Sequence, residues 1–398
     1  MDKLAKIIRE QSKEILDETI DLRRYLHNNP ELSFKEFKTS EYICKYLDNN
    51  KIEYIKNIAG TGIIAWVNGE NGIGGTIALR AELDALPIRE ATGLEYASRN
   101  DGIMHACGHD AHMAMLMSAI KIIMNCRDKF GGKIAFIFQP AEELAPGGAR
   151  SVMESQAFKN LRPDLIIAQH VLPDLESGML GFRPGKYMAS SDEIHINIMG
   201  KGGHAALPDQ STDQVAIASE LVLNLKEEVK NYDSSEPVVL GIGRFIAEGS
   251  TNIIPDSVSI EGTIRTFDEK VRKDILNIVT QSCAFSERKH GVEISLELPD
   301  GYPVLVNSTK FVEQASKLAA EINGKDKVKR LDRRMSSEDF AFFSQKYPVV
   351  FYRLGVKRKS EEIQSLHTPT FNIDENAMLT GVRTIAYLAI KNQLLFLK

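Results

Sequence analysis

The sequence predicts an α/β protein: a mostly parallel sheet domain interrupted by an inserted, smaller α+β domain. Three observations carry that expectation. Apolar runs alternate with helical patterns over the first 187 residues, the segment 190–300 follows the order β-α-β-β-α-β, and helix–strand alternation resumes after 300. The middle order is the split-βαβ arrangement, a four-stranded antiparallel sheet with two helices on one face. The expected division is therefore 1–187 plus 301–398 for the larger domain and 188–300 for the insert.

The opening residues repeat apolar positions at helical spacing (Leu4, Ile7, Ile8, Ile15, Leu22, Leu26), and Asn28-Asn29-Pro30 ends the pattern. A second helix fits 36–49. The runs IEYI, GIIAWV and TIALRA follow, with the turn NGENGIGG before the last, and read as strands. A helix over 111–126 precedes the buried-type strand KIAFIFQ, and a short helix near 148–155 precedes DLIIAQ. In the insert the order is EIHINIM, a helix over 211–230, PVVLGIGRF, SVSIEGTIRT, a helix over 268–289 and VEISLEL. SVSIEGTIRT alternates at Val258, Ile260, Gly262 and Ile264, as a sheet with one wet face does. Helices near 308–322 and 374–396 complete the larger domain.

Composition narrows the function. Of 398 residues 43% are hydrophobic and 26% charged, the ordinary globular mixture, which excludes wholesale disorder. The 49 Lys and Arg against 54 Asp and Glu nowhere concentrate into a basic footprint, so nucleic acid is not an expected partner. Four scattered cysteines (Cys44, Cys107, Cys126, Cys283) make no disulfide scaffold. The charged start is unlike a signal peptide, and AHMAMLMSAI is too short to span a bilayer. The expectation is a soluble, cytoplasmic protein without membrane association.

Three of nine histidines fall in MHACGHDAH: His105, His109 and His112, around Cys107 and Asp110. Gly108 allows a tight backbone path between the Cys107 thiol and the His109 imidazole. Zinc accepts both ligand types, and manganese or nickel takes imidazoles and carboxylates. Taken alone, such a stretch is more often a histidine-rich loop with a buried thiol. Glu142 and Glu143 follow the strand KIAFIFQ, at the strand end where open α/β sheets place their sites. By themselves they fit a solvated acidic turn as well. His170 follows DLIIAQ and fits a core histidine; His367, in SLHTPTF, fits a surface one. Together, Cys107, His109, Glu143, His170 and His367 suffice for two metal ions if one ligand bridges.

These motifs, in this order, resemble the dinuclear metallo-amidohydrolases that include aminoacylases, hippurate hydrolases and plant auxin-conjugate hydrolases. The stretches are LRRYLHNNPELSFKEF, ALRAELDALPI, MHACGHDAHMAM, FQPAEE, AQHV, GKGGHAALPD, TNIIPD, EGTIRTFD, MSSEDFAFF and LHTPTFNIDE, spread over nearly the whole chain. Cysteine in ACGHD, where other branches carry aspartate, is similar to the cysteine-bridged branch.

The resemblance implies that Cys107 bridges two divalent ions (Mn, Zn, Co or Ni) and that His109, Glu143, His170 and His367 complete their shells. It implies Glu142 as general base, Asp110 and His112 as residues that orient ligands, and Asn252 and Arg265 as substrate contacts. It further implies that the insert, ferredoxin-like in its order, is a lid and dimerisation domain whose His204 reaches the neighbouring active site of a homodimer. One departure stands out: Glu82 occupies the first aspartate position of the usual R-A-D-x-D-A-L-P, with Asp84 retained. Ser336-Ser337-Glu338-Asp339 reads as a helix N-cap. The expected activity is hydrolysis of N-acyl amino acids, including hippurate-like conjugates, to free acid and amino acid. A metallo-carboxypeptidase or dipeptidase, a Cys107 thiol hydrolase and a silent dimeric binding protein are the alternatives.

Overall fold

The computed structural model describes residues 2–359 and 362–393. The chain folds as two compact units, one of Met1–Gly185, Val306–Asp332 and Phe342–Lys398, the other of Lys186–Leu305 and Arg333–Ala341. The segment Arg333–Ala341, expected in the larger domain, thus belongs with the smaller unit.

An eight-stranded sheet organises the larger unit. Its spatial order is Glu53–Ile58, Gly62–Asn68, Lys133–Gln139, Thr76–Glu82, Leu165–Glu176, Val349–Lys357, Leu180–Phe182, Val328–Arg330. The four central strands run parallel, which brings the ends at Glu82 and Gln139 beside the middle of Leu165–Glu176, where His170 lies. Their sequences are continuous apolar runs because helices cover the sheet; Ile77, Leu79, Ile134, Phe136, Leu165 and Ile167 are solvent-free. The helix His109–Asn125 is buried nearly all round, as its apolar sequence requires, and packs against Leu16–Asn28 and Ala377–Gln393.

The expected helices and strands occur within a few residues of their predicted positions. Differences have local causes. The opening helical pattern is two helices, Lys3–Glu14 and Leu16–Asn28, separated by a turn at Ile15. The DLIIAQ strand continues to Glu176, because Val349–Lys357 pairs along its length. That partner strand, PVVFYRLGVK in sequence, is not among the expected elements: its uninterrupted apolar run carries no period. The last helix is Ala377–Gln393, and the final three residues of its predicted span lie outside the described residues.

The smaller unit has an antiparallel sheet in the order Val238–Ile246, Ser257–Thr266, Asp192–Met199, Glu293–Glu297. Helices Gln214–Asn231 and Glu269–His290 bury one face against Ile194, Ile196, Ile198, Val258, Ile260 and Ile264. The even positions of SVSIEGTIRT face this core, as their alternation predicts. No described helix is long and apolar enough to cross a membrane.

Candidate metal centre

The six predicted residues of the larger unit converge. Donor atoms of Cys107, His109 and His170 lie within 4.8 Å of one another, as do those of Cys107, Glu143 and His367, and those of His109, Glu142 and Glu143. Cys107 Sγ is 3.5 Å from His170 Nε2, and His367 Nε2 is 3.3 Å from Glu143 Oε1. Glu142 Oε2 and Glu143 Oε1 stand 3.8 and 3.9 Å from His109 Nε2. Cys107, His109, Glu142 and His170 are buried, Glu143 is nearly so, and the His367 side chain is half exposed.

The backbone explains how separate segments meet. Gly108 is left-handed (φ 85°) and starts the helix that carries His109; a Cβ there would stand 2.6 Å from Val171 Cγ2. His367 is also left-handed (φ 61°), and its N–H donates to the Ala106 carbonyl at 2.9 Å. Thus the late loop is tied to the residue before Cys107.

Hydrogen bonds assign the tautomers. The Asp84 carbonyl only accepts, so His109 carries its proton on Nδ1 (2.9 Å) and turns Nε2 toward the cluster. His170 Nδ1 likewise donates to the Val171 carbonyl at 2.8 Å, leaving Nε2 facing Cys107. His112 differs: Nε2 accepts the Val171 N–H (3.0 Å) and Nδ1 donates to Glu82 (2.8 Å), so both nitrogens are engaged. His109 Nε2 and Glu143 Oε1 are buried without a hydrogen-bond partner. Imidazole nitrogens, a thiol and carboxylates aimed at one space fit a divalent cation of borderline softness.

Electrostatics points the same way. Burial disfavours a charged His109, but its hydrogen bond to Asp84 and the charges of Glu82, Asp84 and Glu143 outweigh burial and push it up to about 10. Burial, reinforced by Glu143 and Glu142, holds the Cys107 thiol well above its ordinary range. Burial and the nearby Arg353 guanidinium hold His170 well below its own. The cluster carries excess negative charge and holds protons where a cation would sit.

Supporting residues surround it. Glu82 is wholly buried between Arg80 and His112. Burial would raise its carboxyl, yet Arg80 and His112 hold it well below the usual range. The longer side chain at this position therefore has a defined place. Asp110 meets Arg23 (2.7 Å) and His27 (2.8 Å), and the Arg23 guanidinium also reaches Tyr96, Asn372 and Glu375. Asp84 Oδ2 accepts the Glu143 N–H (2.9 Å) and the Ser33 hydroxyl (2.7 Å). Arg23, His27, Ser33 and Arg80 are not among the residues the sequence singles out; for Arg23, His27 and Arg80 the signal is a polar residue on a buried helix or strand face, whereas Ser33 sits in a turn and carries none.

The other three predicted residues lie in the smaller unit. His204 pairs with Ile253 in a two-stranded ribbon, and the Ala205 N–H donates to the Asn252 carbonyl at 3.0 Å, so His204 and Asn252 share one turn. His204 Nδ1 accepts the Ala206 N–H at 3.1 Å, leaving Nε2–H as an exposed donor. Arg265 sits apart on Ser257–Thr266, donating to the Met335 carbonyl and the Ser337 hydroxyl, both at 3.2 Å. Within the stretch Ser336-Ser337-Glu338-Asp339, read as a helix N-cap, Glu338 supplies the acceptor: its carboxylate receives the Phe340 N–H just before the one-turn helix Ala341–Ser344.

Comparison with known proteins finds relatives over most of the chain. Residues 78–391 match Peptidase family M20/M25/M40. The chain is 36% identical over 373 residues to N-acetylcysteine deacetylase of Bacillus subtilis (strain 168), covering 93% of this chain and 96% of that one. It is 38% identical over 304 residues to an N-acyl-L-amino acid amidohydrolase of Geobacillus stearothermophilus, covering 75% and 81%. Among solved structures it resembles the Bacillus subtilis YXEP protein, a dinuclear metal binding peptidase from the M20 family, at TM-score 0.81 and 33% identity, over 96% of this chain and 99% of that one.

Glu82→Ala is expected to break the buried Arg80–Glu82 ion pair and the Glu82–His112 hydrogen bond, and to cost about 3–5 kcal/mol. Urea unfolding measures it; a loss below about 1 kcal/mol, the scale of an exposed pair, would remove Glu82 from the support of this site.

Proposed function

The chain belongs to peptidase family M20/M25/M40 and is a hydrolase acting on amide bonds, and we propose that it cleaves the amide of N-acyl amino acids to a free acid and an amino acid. The observation that carries this proposal is the overlap of two donor groups, Cys107/His109/His170 and Cys107/Glu143/His367, on one cysteine. Cys107 would bridge two divalent ions as thiolate, with His109, Glu143, His170 and His367 as their other protein ligands. Zinc suits this donor set, and manganese, cobalt and nickel are the other metals to load. Such a pair of ions, when bound, supplies Lewis acidity toward the scissile carbonyl and the attacking water.

Glu142 stands at the ligand atoms without belonging to the five. It takes the proton of the attacking water and delivers it to the leaving amine. Arg265 and Asn252 bind the carboxylate and carbonyl of the substrate, a task suited to a planar guanidinium. A Cys107 nucleophile is the poorer account, since burial and two adjacent glutamates oppose a free thiolate. The acyl amino acid class follows the relatives, named for N-acetylcysteine and N-acyl-L-amino acids. Four free, buried cysteines suit a reducing compartment, and the cytoplasm is where we place the enzyme.

The working form in this proposal is a homodimer joined through the smaller unit as a lid. His204 then donates its Nε2–H to the oxyanion in the neighbour's site. Support comes from the exposed position of His204 and from apolar side chains left on that unit's helices, Leu223 and Phe285.

Chelation is expected to abolish turnover of N-acetyl, N-benzoyl or indole-acetyl amino acids, and metal add-back to restore it. Turnover confined to dipeptides would replace the amidohydrolase with a peptidase. Glu142→Gln should retain both ions and lose about 10²–10⁴-fold in kcat. Loss of metal from this variant, with retention in Glu143→Gln, would reverse the assignment of the pair.

Sharing of His204 is tested by mixing inactive Glu142→Gln subunits with inactive His204→Ala subunits. Exchange across the interface restores about one working site per heterodimer, since removal of an oxyanion donor costs ~10²–10³-fold. Heterodimers confirmed by mass yet still inactive would assign His204 to its own chain or to structure alone.

A further inference from the structure

Glu36 is a wholly buried carboxylate to which the proposed chemistry gives no task. It occupies the N-cap position of the helix Phe37–Asn49, where an acidic side chain ordinarily accepts the helix's own amides. It makes no such cap. Its Oε2 accepts the Thr61 hydroxyl at 2.7 Å, and its Oε1 accepts the N–H of Ala141, 105 residues away, at 2.9 Å. Burial raises this carboxyl, so folding keeps an expensive group here rather than an apolar one.

Ala141 is the residue before Glu142, and its backbone is left-handed (φ 53°), a conformation that residues with a Cβ adopt only when contacts enforce it. The contacts are on every side. Glu36 holds the Ala141 N–H, and Gly148 N–H donates to the Ala141 carbonyl at 2.9 Å. Asp84 holds the Glu143 N–H, while Gly148 packs so tightly on Pro140 that a Cβ would fall 1.9 Å from the Pro140 carbonyl oxygen. Glu36 thus grips the peptide unit before Ala141 and Asp84 the one after Glu142, each buried carboxylate itself held by a hydroxyl: Thr61 on Glu36 and Ser33 on Asp84.

We infer that Glu36 is a positioning residue for Glu142: it anchors the Ala141 N–H, maintains the left-handed turn, and so sets the direction in which the Glu142 carboxylate leaves the strand end. This role rests on the proposed assignment of Glu142 as base. It gives the ELSFKEF stretch a mechanical task, with Glu36 touching the turn directly and Ser33 reaching it through Asp84.

The chemistry separates anchor from charge. In Glu36→Gln the amide oxygen still accepts from Ala141 and the amide nitrogen donates to Thr61, whose hydroxyl can turn to accept. Glu36→Met fills the volume with no acceptor. The expected result is near-parental kcat for Glu36→Gln. Glu36→Met should lose about 10–10²-fold in kcat, the scale of a misplaced catalytic group, with KM and metal content near the parent's. Thermal melting identifies the folded variants. Should the Met variant not fold, Glu36→Asp, short by one methylene, is expected to show the same split between kcat and KM.

Equal damage in the Gln and Met variants would overturn the inference, as would a kcat loss that follows metal loss in proportion. Glu142→Gln is assayed in parallel. If it is active, the base assignment falls and this inference with it; if it is inactive while folded Glu36→Met or Glu36→Asp matches the parent, this inference alone falls.

Discussion

Buried negative charge at one edge of the central sheet is the constraint on which the remaining structure depends. Glu36, Glu82, Asp84, Asp110 and Glu142 are all withdrawn from water, with Glu143 beside them. Removing a carboxylate from water costs several kcal/mol unless charge or hydrogen bonds replace the hydration. Each of the first four has its replacement: Thr61 and the Ala141 N–H for Glu36, Arg80 and His112 for Glu82, Ser33 and the Glu143 N–H for Asp84, Arg23 and His27 for Asp110. These partners come from helix Leu16–Asn28 and the turn after it, from helix His109–Asn125, and from the strands and the turns beside them. Compensating the charge therefore assembles the larger unit as well as the site. Arg23 alone joins the start of helix His109–Asn125 to Tyr96, Asn372 and Glu375.

Glu142 and Glu143 add their charge beside the His109 imidazole, in the space where a cation would sit. Against burial, the hydrogen bond to Asp84 and the surrounding carboxylates push His109 up to about 10, and burial holds the Cys107 thiol well above its ordinary range. A cation held by these two groups, as proposed, would take the place of their protons, and its binding would strengthen as pH rises. For Asp110 the sign is opposite in form. Burial would raise its carboxyl, but Arg23 and His27 hold it well below the usual value. Its stabilisation is therefore complete above the ordinary aspartate pKa and fades as acid protonates it in the folded state.

Much of this is legible in the sequence, because strand-end residues in an α/β protein announce themselves by position. Cys107, His109, Glu142, Glu143 and His170 follow apolar runs or punctuate them, and a parallel sheet collects such ends on one edge. The supporting residues are less legible for a physical reason: Glu36 looks like one more charge in KEF, and Arg80 like one more residue of a strand. Glu36 finds its partner, Ala141, 105 residues away, and Arg80, besides Glu82, donates to Gln139 59 residues away, separations no periodicity encodes. The strand Val349–Lys357 is hidden because burial on both faces erases alternation.

Left-handed backbone links these observations. Gly108 lies between Cys107 and His109, Ala141 precedes Glu142, and His367 is itself left-handed. Three segments that bring donors to one space thus each turn through a conformation that is unfavourable for residues other than glycine. Only Gly108 solves the problem through its own chemistry. Ala141 and His367 hold the conformation by contact: Glu36 and Gly148 grip the first, and the Ala106 carbonyl receives the N–H of the second. Strain persists where the surroundings over-determine it. Here those surroundings are the same buried carboxylates and loop-to-loop hydrogen bonds that the negative charge required. The fold's electrostatic cost and the aim of its donor atoms are two consequences of one arrangement.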